Sequence, residues 1–232
     1  MPTLVLLHSP LVGPSTWAML APELESLGFP VAVPSLTDTA RGEGPYGPAF
    51  ASTVRDAVPG DEPVVLVAHS GAGLFAPPIA AGFEDVAACI FVDATIPRDG
   101  MCWMDTLDEE LRESDAFREA AARGVVPNPW RGEAPWRQVG IVESGLVARL
   151  AEEAIDPPLA MYEERIALPP GWPGIPKGYL AFVPNPFYAP IVREARDAGL
   201  LVREMPGGHF EMVARPGAVA RELAGMVSVL TG

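Results

Sequence analysis

One serine stands where a strand-like run gives way to a helix-like one. Val64-Val65-Leu66-Val67-Ala68-His69-Ser70-Gly71-Ala72-Gly73 is apolar up to Ser70 and then continues in tiny residues. A hydroxyl at the tip of a tight strand-to-helix turn is exposed for attack on a substrate, but the backbone there is strained, so residues two before and two after must be small. Here they are Ala68 and Ala72. The strict Gly-x-Ser-x-Gly pattern is missed at both glycines, while Gly71 and Gly73 ease the turn. The plainer alternative is a serine that only caps the following helix. A serine hydroxyl needs a base beside it before it attacks a carbonyl. Of the three histidines, His209 lies in Met205-Pro206-Gly207-Gly208-His209-Phe210, after the last strand-like run and before the last helix-like one. A loop there can carry an imidazole over the Ser70 hydroxyl.

The elements that must position these groups are legible as short apolar runs: Leu4 to Leu7, Val31 to Val33, Val64 to Val67, Ala88 to Val92, Tyr179 to Val183 and Leu200 to Val202. Each is too short for a helix and lacks the polar alternation of a half-exposed strand, which predicts a parallel sheet covered on both faces. Between them, helices are expected over Thr16 to Leu27 closed by Gly28, Ala49 to Val58 closed by Pro59 and Gly60, Leu74 to Ala81, Ile191 to Ala198 closed by Gly199, and Ala218 to Leu230. Alternation of the two kinds gives an α/β chain with a doubly wound, mainly parallel sheet of about six strands.

One segment interrupts that rhythm. From Arg98 to about Pro176 no strand-like run occurs, and Asp105 to Arg123 and Glu143 to Ala154 read as helices. A helical cap over 98–176 is expected, inserted after the fourth strand into a core made of 1–97 and 177–232. It carries Trp103, Trp130, Trp136 and Trp172 together with Met101, Met104 and Met161. At helical spacing such residues usually form core. A small cap has little interior for four indoles, however, so Trp103, Trp130 and Trp136 are candidates to line a pocket.

Composition narrows the function. The 232 residues are 49% hydrophobic and 20% charged, with 16 Lys plus Arg against 30 Asp plus Glu and a formal net charge of −14, which suits one globular domain with a full core. So acidic a chain is a poor partner for nucleic acid, whose phosphates are bound by clusters of Lys and Arg. No apolar stretch is long enough for a membrane span. Met1-Pro2-Thr3 runs straight into Leu4 to Leu7, with no basic segment and no cleavage site, so a cytoplasmic location is expected. Cys89 and Cys102 are neither a disulfide framework nor a metal cluster and read as spectators. Arg41-Gly42-Glu43-Gly44-Pro45 does not open a helix after a strand as a dinucleotide-binding turn would. No cofactor and no metal are expected.

Taken together, the serine turn, the late histidine loop and the place of the cap resemble the α/β-hydrolase family over nearly the whole chain. The first loop, His8-Ser9-Pro10-Leu11-Val12-Gly13-Pro14-Ser15-Thr16-Trp17, resembles the plant-type esterase and hydroxynitrile lyase branch more narrowly. The resemblance implies that Ser70 is a nucleophile and His209 its base, and that His8 and His69 brace the two loops. It leaves two places for the acid. In much of the family it follows the strand after the cap, where this chain has Asn185. Some branches put it after the strand before the cap, where Ile90-Phe91-Val92-Asp93-Ala94-Thr95 offers Asp93. A carboxylate there holds the imidazole in the right tautomer, or merely caps the turn before Pro97. The order Ser70, Asp93, His209 agrees with the family's.

The resemblance also raises a difficulty at the oxyanion hole. Gly71 supplies one backbone N–H, but the family's second donor falls at Pro10, which has none. Either Leu11 donates instead, or the Ser9 hydroxyl does, or the chemistry avoids a tetrahedral oxyanion. The first expectation is a serine hydrolase acting on a small apolar or aromatic ester, lactone or thioester. The second is a lyase, cyclase or dehydratase in which His209 shuttles a proton while Ser9 and Ser70 hold the substrate. The third is a ligand-binding member of the fold without catalysis. Epoxide hydrolysis and dehalogenation are disfavoured, because relatives with those activities resemble the fold but carry Asp where this chain has Ser70.

Overall fold

The computed structural model describes residues 1–58 and 60–232. Six parallel strands form one sheet in the order β2-β1-β3-β4-β5-β6: β1 Thr3–Leu7, β2 Val31–Ala32, β3 Val64–His69, β4 Val86–Val92, β5 Lys177–Val183 and β6 Leu201–Pro206. Alternate strand residues enter two separate cores. Leu66, Ala68, Cys89 and Phe91 pack on one face with Phe50, Val54 and Phe75, whereas Val65, Val67, Ile90 and Val92 pack on the other with Leu24, Leu223 and Met226. With both faces dry, the central strands are apolar along their length, and the one polar group in β3, His69, stands at its end, hence the unbroken apolar runs. β6 runs four residues beyond the expected Val202. As an edge strand it tolerates the exposed Glu204 and half-buried Arg203, which hid it.

Helices on the first face include α3 Tyr46–Ala57 and α4 Ala72–Ala80; those on the second include α1 Ala21–Ser26 and α12 Pro216–Thr231. α2 Thr37–Arg41, α10 Ala189–Asp197 and α11 Glu211–Ala214 complete the frame. The expected helix over Thr16 to Leu27 is instead a 3-10 turn, Pro14–Trp17, followed by α1. Pro22 has no N–H to give the preceding turn, so it serves in the first turn of a new helix. Of the expected stop for α3, Pro59 lies outside the described residues. α2 and α11 are too short to show helical periodicity in the sequence.

Between β4 and β5 lie α5 Glu109–Glu113, α6 Asp115–Ala122, α7 Ala134–Gln138, α8 Ser144–Glu153 and α9 Leu159–Glu163, with 3-10 turns at Trp103–Thr106 and Trp172–Gly174. The single helix expected over Asp105 to Arg123 is broken at Ser114. Its hydroxyl accepts the Phe117 N–H at 3.2 Å, just as Asp108 Oδ1 accepts that of Leu111 at 2.7 Å, and each side chain starts its own helix. Two carboxylates tie this segment to the sheet domain. Glu153, on α8, accepts from Ser15 N at 2.9 Å and Ser15 Oγ at 2.7 Å. Glu164 accepts from Tyr46 N at 2.5 Å and Gly47 N at 2.7 Å, satisfying the free N–H groups that open α3. Among the described residues no helix is long and apolar enough to cross a membrane.

Candidate active site

Only two non-glycine residues have positive φ among the described residues, and they are Ser70 (φ 57°) and Asp93 (φ 44°). Such backbone costs on the order of 1–3 kcal/mol and persists where the surroundings over-determine it. For Ser70 the surroundings are backbone: its N–H donates to Val92 O at 3.3 Å, and its carbonyl accepts from Gly73 N at 3.2 Å and Thr95 N at 3.1 Å. Gly73 is obligatory, since a Cβ there would overlap the Thr95 carbonyl oxygen. A Cβ on Gly71 would overlap the Trp103 ring, so the indole rests directly on the residue after the serine.

Asp93 is fully buried at the end of β4. Its Oδ1 accepts from Phe182 N at 3.2 Å, and its Oδ2 from Asn185 Nδ2 at 2.6 Å and His209 Nδ1 at 2.9 Å. Both candidate acid positions therefore meet: Asp93 is the carboxylate, and Asn185 hydrogen-bonds to it. With Nδ1 held by the carboxylate, the imidazole is oriented so that Nε2 is turned away from Asp93. Tyr188 stacks on the imidazole at 5.1 Å and 14°, and Trp130 lies 6.4 Å from it.

His69 and His8 brace the loops as the resemblance implied. His69 Nε2 donates to the His209 carbonyl at 2.9 Å, and burial holds its pKa well below 6.5. His8 Nδ1 donates to Ser9 O at 2.9 Å while Nε2 accepts from Leu36 N at 2.8 Å; burial lowers its pKa to about 4, so it stays neutral. Two further groups carry no sequence signal. Glu211, buried, accepts from Gly208 N at 2.9 Å and pairs with Arg215, fixing the loop that carries His209. Tyr188 Oη lies 3.2 Å from Ser70 Oγ and is that oxygen's hydrogen-bond partner.

A cavity of about 350 Å³ opens over these groups, lined among others by Leu11, Ser70, Gly71, Trp103, Trp130, Tyr162, Asn185 and His209. No Asp, Glu, Lys or Arg lines it. Trp103 stacks on Tyr162 at 4.5 Å and 4°. Trp136 does not line the cavity. It is fully buried behind Trp130, 5.2 Å away, and against Phe210 at 4.7 Å, because α7 turns it inward. Ser9 and Pro10 also lie outside the lining. The Ser9 hydroxyl, on a residue only 2% exposed, accepts the Leu11 N–H at 3.4 Å, whereas Leu11 itself reaches the cavity. Leu11 is held from behind, its carbonyl accepting from Asn128 Nδ2 at 2.6 Å and Ile155 N at 3.1 Å. Both cysteines are buried, and burial pushes the Cys89 thiol up to about 12.

Residues 4–222 match the sequence pattern of the alpha/beta hydrolase family. No curated protein matches the chain significantly. Among solved structures, an extracellular alpha/beta-hydrolase from a Paenibacillus species, described as sharing structural and functional homology with tobacco Salicylic Acid Binding Protein 2, is 20% identical. The similarity covers 97% of this chain and 99% of that one, with a TM-score of 0.73. A methylesterase of Arabidopsis is 15% identical over 99% and 100% of the two chains, with a TM-score of 0.72. A pyrethroid hydrolase from Sphingobium faniae is 18% identical over 98% and 97%, with a TM-score of 0.69. At these identities the likeness is one of fold; the family match over 4–222 makes the chain a member of the alpha/beta hydrolase family.

Proposed function

We propose that the protein is an esterase-like serine hydrolase in which Ser70 attacks, His209 acts as base and Asp93 orients the imidazole. The observation that carries this reading is the 2.9 Å bond from His209 Nδ1 to the buried Asp93, which orients an imidazole lining the same cavity as the Ser70 hydroxyl. Ser70 Oγ adds to the substrate carbonyl as its proton passes to Nε2. Gly71 N–H is one donor to the oxyanion and Leu11 N–H, shared with Ser9 Oγ at 3.4 Å, is the second; the alcohol leaves with the proton from His209, and water repeats the sequence to release the acid. The helices between β4 and β5 serve as a cap that roofs the cavity.

An uncharged, largely aromatic cavity suits a neutral apolar or aromatic ester, lactone or thioester. It has no cation to hold the carboxylate product, which favours release. The presence of a methylesterase and a pyrethroid hydrolase among the structural neighbours accords with ester chemistry. The lyase reading draws support from Pro10, but it asks Ser9 to hold the substrate, and that hydroxyl is buried against Leu11. Mass spectrometry after incubation with a fluorophosphonate, beside p-nitrophenyl acetate turnover, tests the assignment. Expected are a covalent adduct and turnover that both vanish in Ser70→Ala; a folded protein that stays unlabelled and inactive would overturn it.

A further inference from the structure

Sheet order divides the groups around Ser70 into two sides. Ser70 directly follows β3; Leu11 follows β1 on one side, while Tyr188 and His209 follow β5 and β6 on the other. Oxyanion donors and leaving-group donors must lie on different sides of a carbonyl under attack. Tyr188 therefore cannot replace the N–H that Pro10 lacks; it lies on the side of His209, the group that must protonate a departing oxygen. Its ring lies nearly parallel to His209 at 5.1 Å, and its Oη is 3.2 Å from Ser70 Oγ. Tyr188 is buried, and that burial raises its phenol well above the ordinary value, so it remains an O–H donor at neutral pH.

We propose that Tyr188 is a catalytic residue whose hydroxyl donates a hydrogen bond to the leaving oxygen of the substrate while His209 delivers the proton. The proposal rests on Ser70 being the nucleophile. Before attack, Tyr188 Oη and Ser70 Oγ satisfy one another. As Oγ bonds to the carbonyl carbon its proton goes to His209 Nε2, and Tyr188 turns its O–H to the ester oxygen. When the tetrahedral intermediate collapses, the carbon–oxygen bond breaks and its electron pair moves to that oxygen, which takes the proton from Nε2. The tyrosine keeps its own proton throughout.

Help to a leaving group matters in proportion to how poor that group is. Tyr188→Phe keeps the ring against His209 and removes only the hydroxyl, so it should lower kcat/KM for an ethyl ester by about ten- to a hundredfold, the scale of a hydrogen bond to a charged partner. With the p-nitrophenyl ester of the same acid, whose phenolate leaves unaided, the loss should stay under about threefold. The ratio is taken within one preparation, so a partly folded fraction cancels. Should the variant not fold, 3-fluorotyrosine at position 188, a stronger donor, should shift the ratio the other way. Equal losses on the two esters, no loss on either, or an unmoved ratio with fluorotyrosine would overturn the proposal and leave the hydrolase reading standing. Wild type that cleaves neither ester and takes no label at Ser70 would remove both.

Discussion

Asp93 and His209, on loops that follow the fourth and sixth strands, share a 2.9 Å hydrogen bond across the top of β5, and Asn185 donates to the same carboxylate oxygen at 2.6 Å. Asp93→Asn tests what the charge does. Asparagine tolerates the left-handed backbone that residue 93 requires (φ 44°), so the fold should survive. An amide in that position presents donors to His209 Nδ1 and favours the wrong tautomer. A fall in kcat of about 10³- to 10⁴-fold with near-normal thermal unfolding is expected. Ester turnover within tenfold of wild type would mean that Asp93 only caps its turn.

Gly71 and Trp103 form a second coupled pair. The three atoms nearest a Cβ on Gly71 all belong to the Trp103 indole, while the Gly71 backbone (φ −64°) suits any residue. The obstacle to Gly71→Ala is thus steric and comes from one side chain. The single variant should lose more than about tenfold in kcat as the clash between methyl and indole displaces the backbone that carries the Gly71 N–H. In Gly71→Ala/Trp103→Ala the added methyl has room, so the double variant should be more active than the sum of the two single losses predicts. Additive losses in a kinetic double-mutant cycle would contradict the steric account. Gly73→Ala offers no such rescue, because its obstacle is the Thr95 carbonyl oxygen.

The bracing histidines make the fold sensitive to acid. Burial depresses His8 from 6.5 to about 4 and His69 in the same direction, so between those values the unfolded chain takes up protons that the folded chain refuses. Their contribution is complete above pH 6.5 and is lost as the pH falls, for His8 down to about 4. For His8 alone the full loss is about 3 kcal/mol. Urea unfolding should therefore show a drop of more than about 2 kcal/mol between pH 7 and pH 5. A flat profile over that window would show that neither ring is held neutral.

The parts legible in the sequence are those whose cause is local or is set by the fold's layers. The strands were readable because both faces of the sheet are dry, and Ser70 because the strained turn demands small neighbours. Asp93 and His209 were readable as loop residues after strands, though only the structure joins them to one another and adds Asn185 to the same carboxylate. Tyr188, Glu211 and Asn128 left no trace. Tyr188 meets Ser70 across 118 positions and Asn128 meets Leu11 across 117, and no local pattern encodes such partners. The same limit separates Trp130, which lines the cavity, from Trp136, which is buried behind it. The breaks at Pro22 and Ser114, by contrast, follow from local chemistry, a missing donor in one case and a capping hydroxyl in the other.

Pro10 makes the last prediction the most exposed. Leu11 is the first residue of the loop to reach the cavity, but its N–H already leans on Ser9 Oγ at 3.4 Å, and its carbonyl is fastened to Asn128 and Ile155. A donor divided between Ser9 and the oxyanion stabilises the transition state less than a free one. Pro10→Ala restores an N–H at the position the family uses. If the loop holds its path, kcat on an activated ester should rise about tenfold or more, part of the roughly 10²- to 10³-fold that a full oxyanion donor supplies. KM should change little, since the gain arises only when the carbonyl oxygen becomes an anion. Asn128→Leu should act in the opposite sense, freeing the Leu11 carbonyl and lowering kcat without touching the cavity's polar groups. A Pro10→Ala enzyme no faster than wild type, with Asn128→Leu still slowed, would show that Leu11 already provides the second donor and that the proline holds it in place.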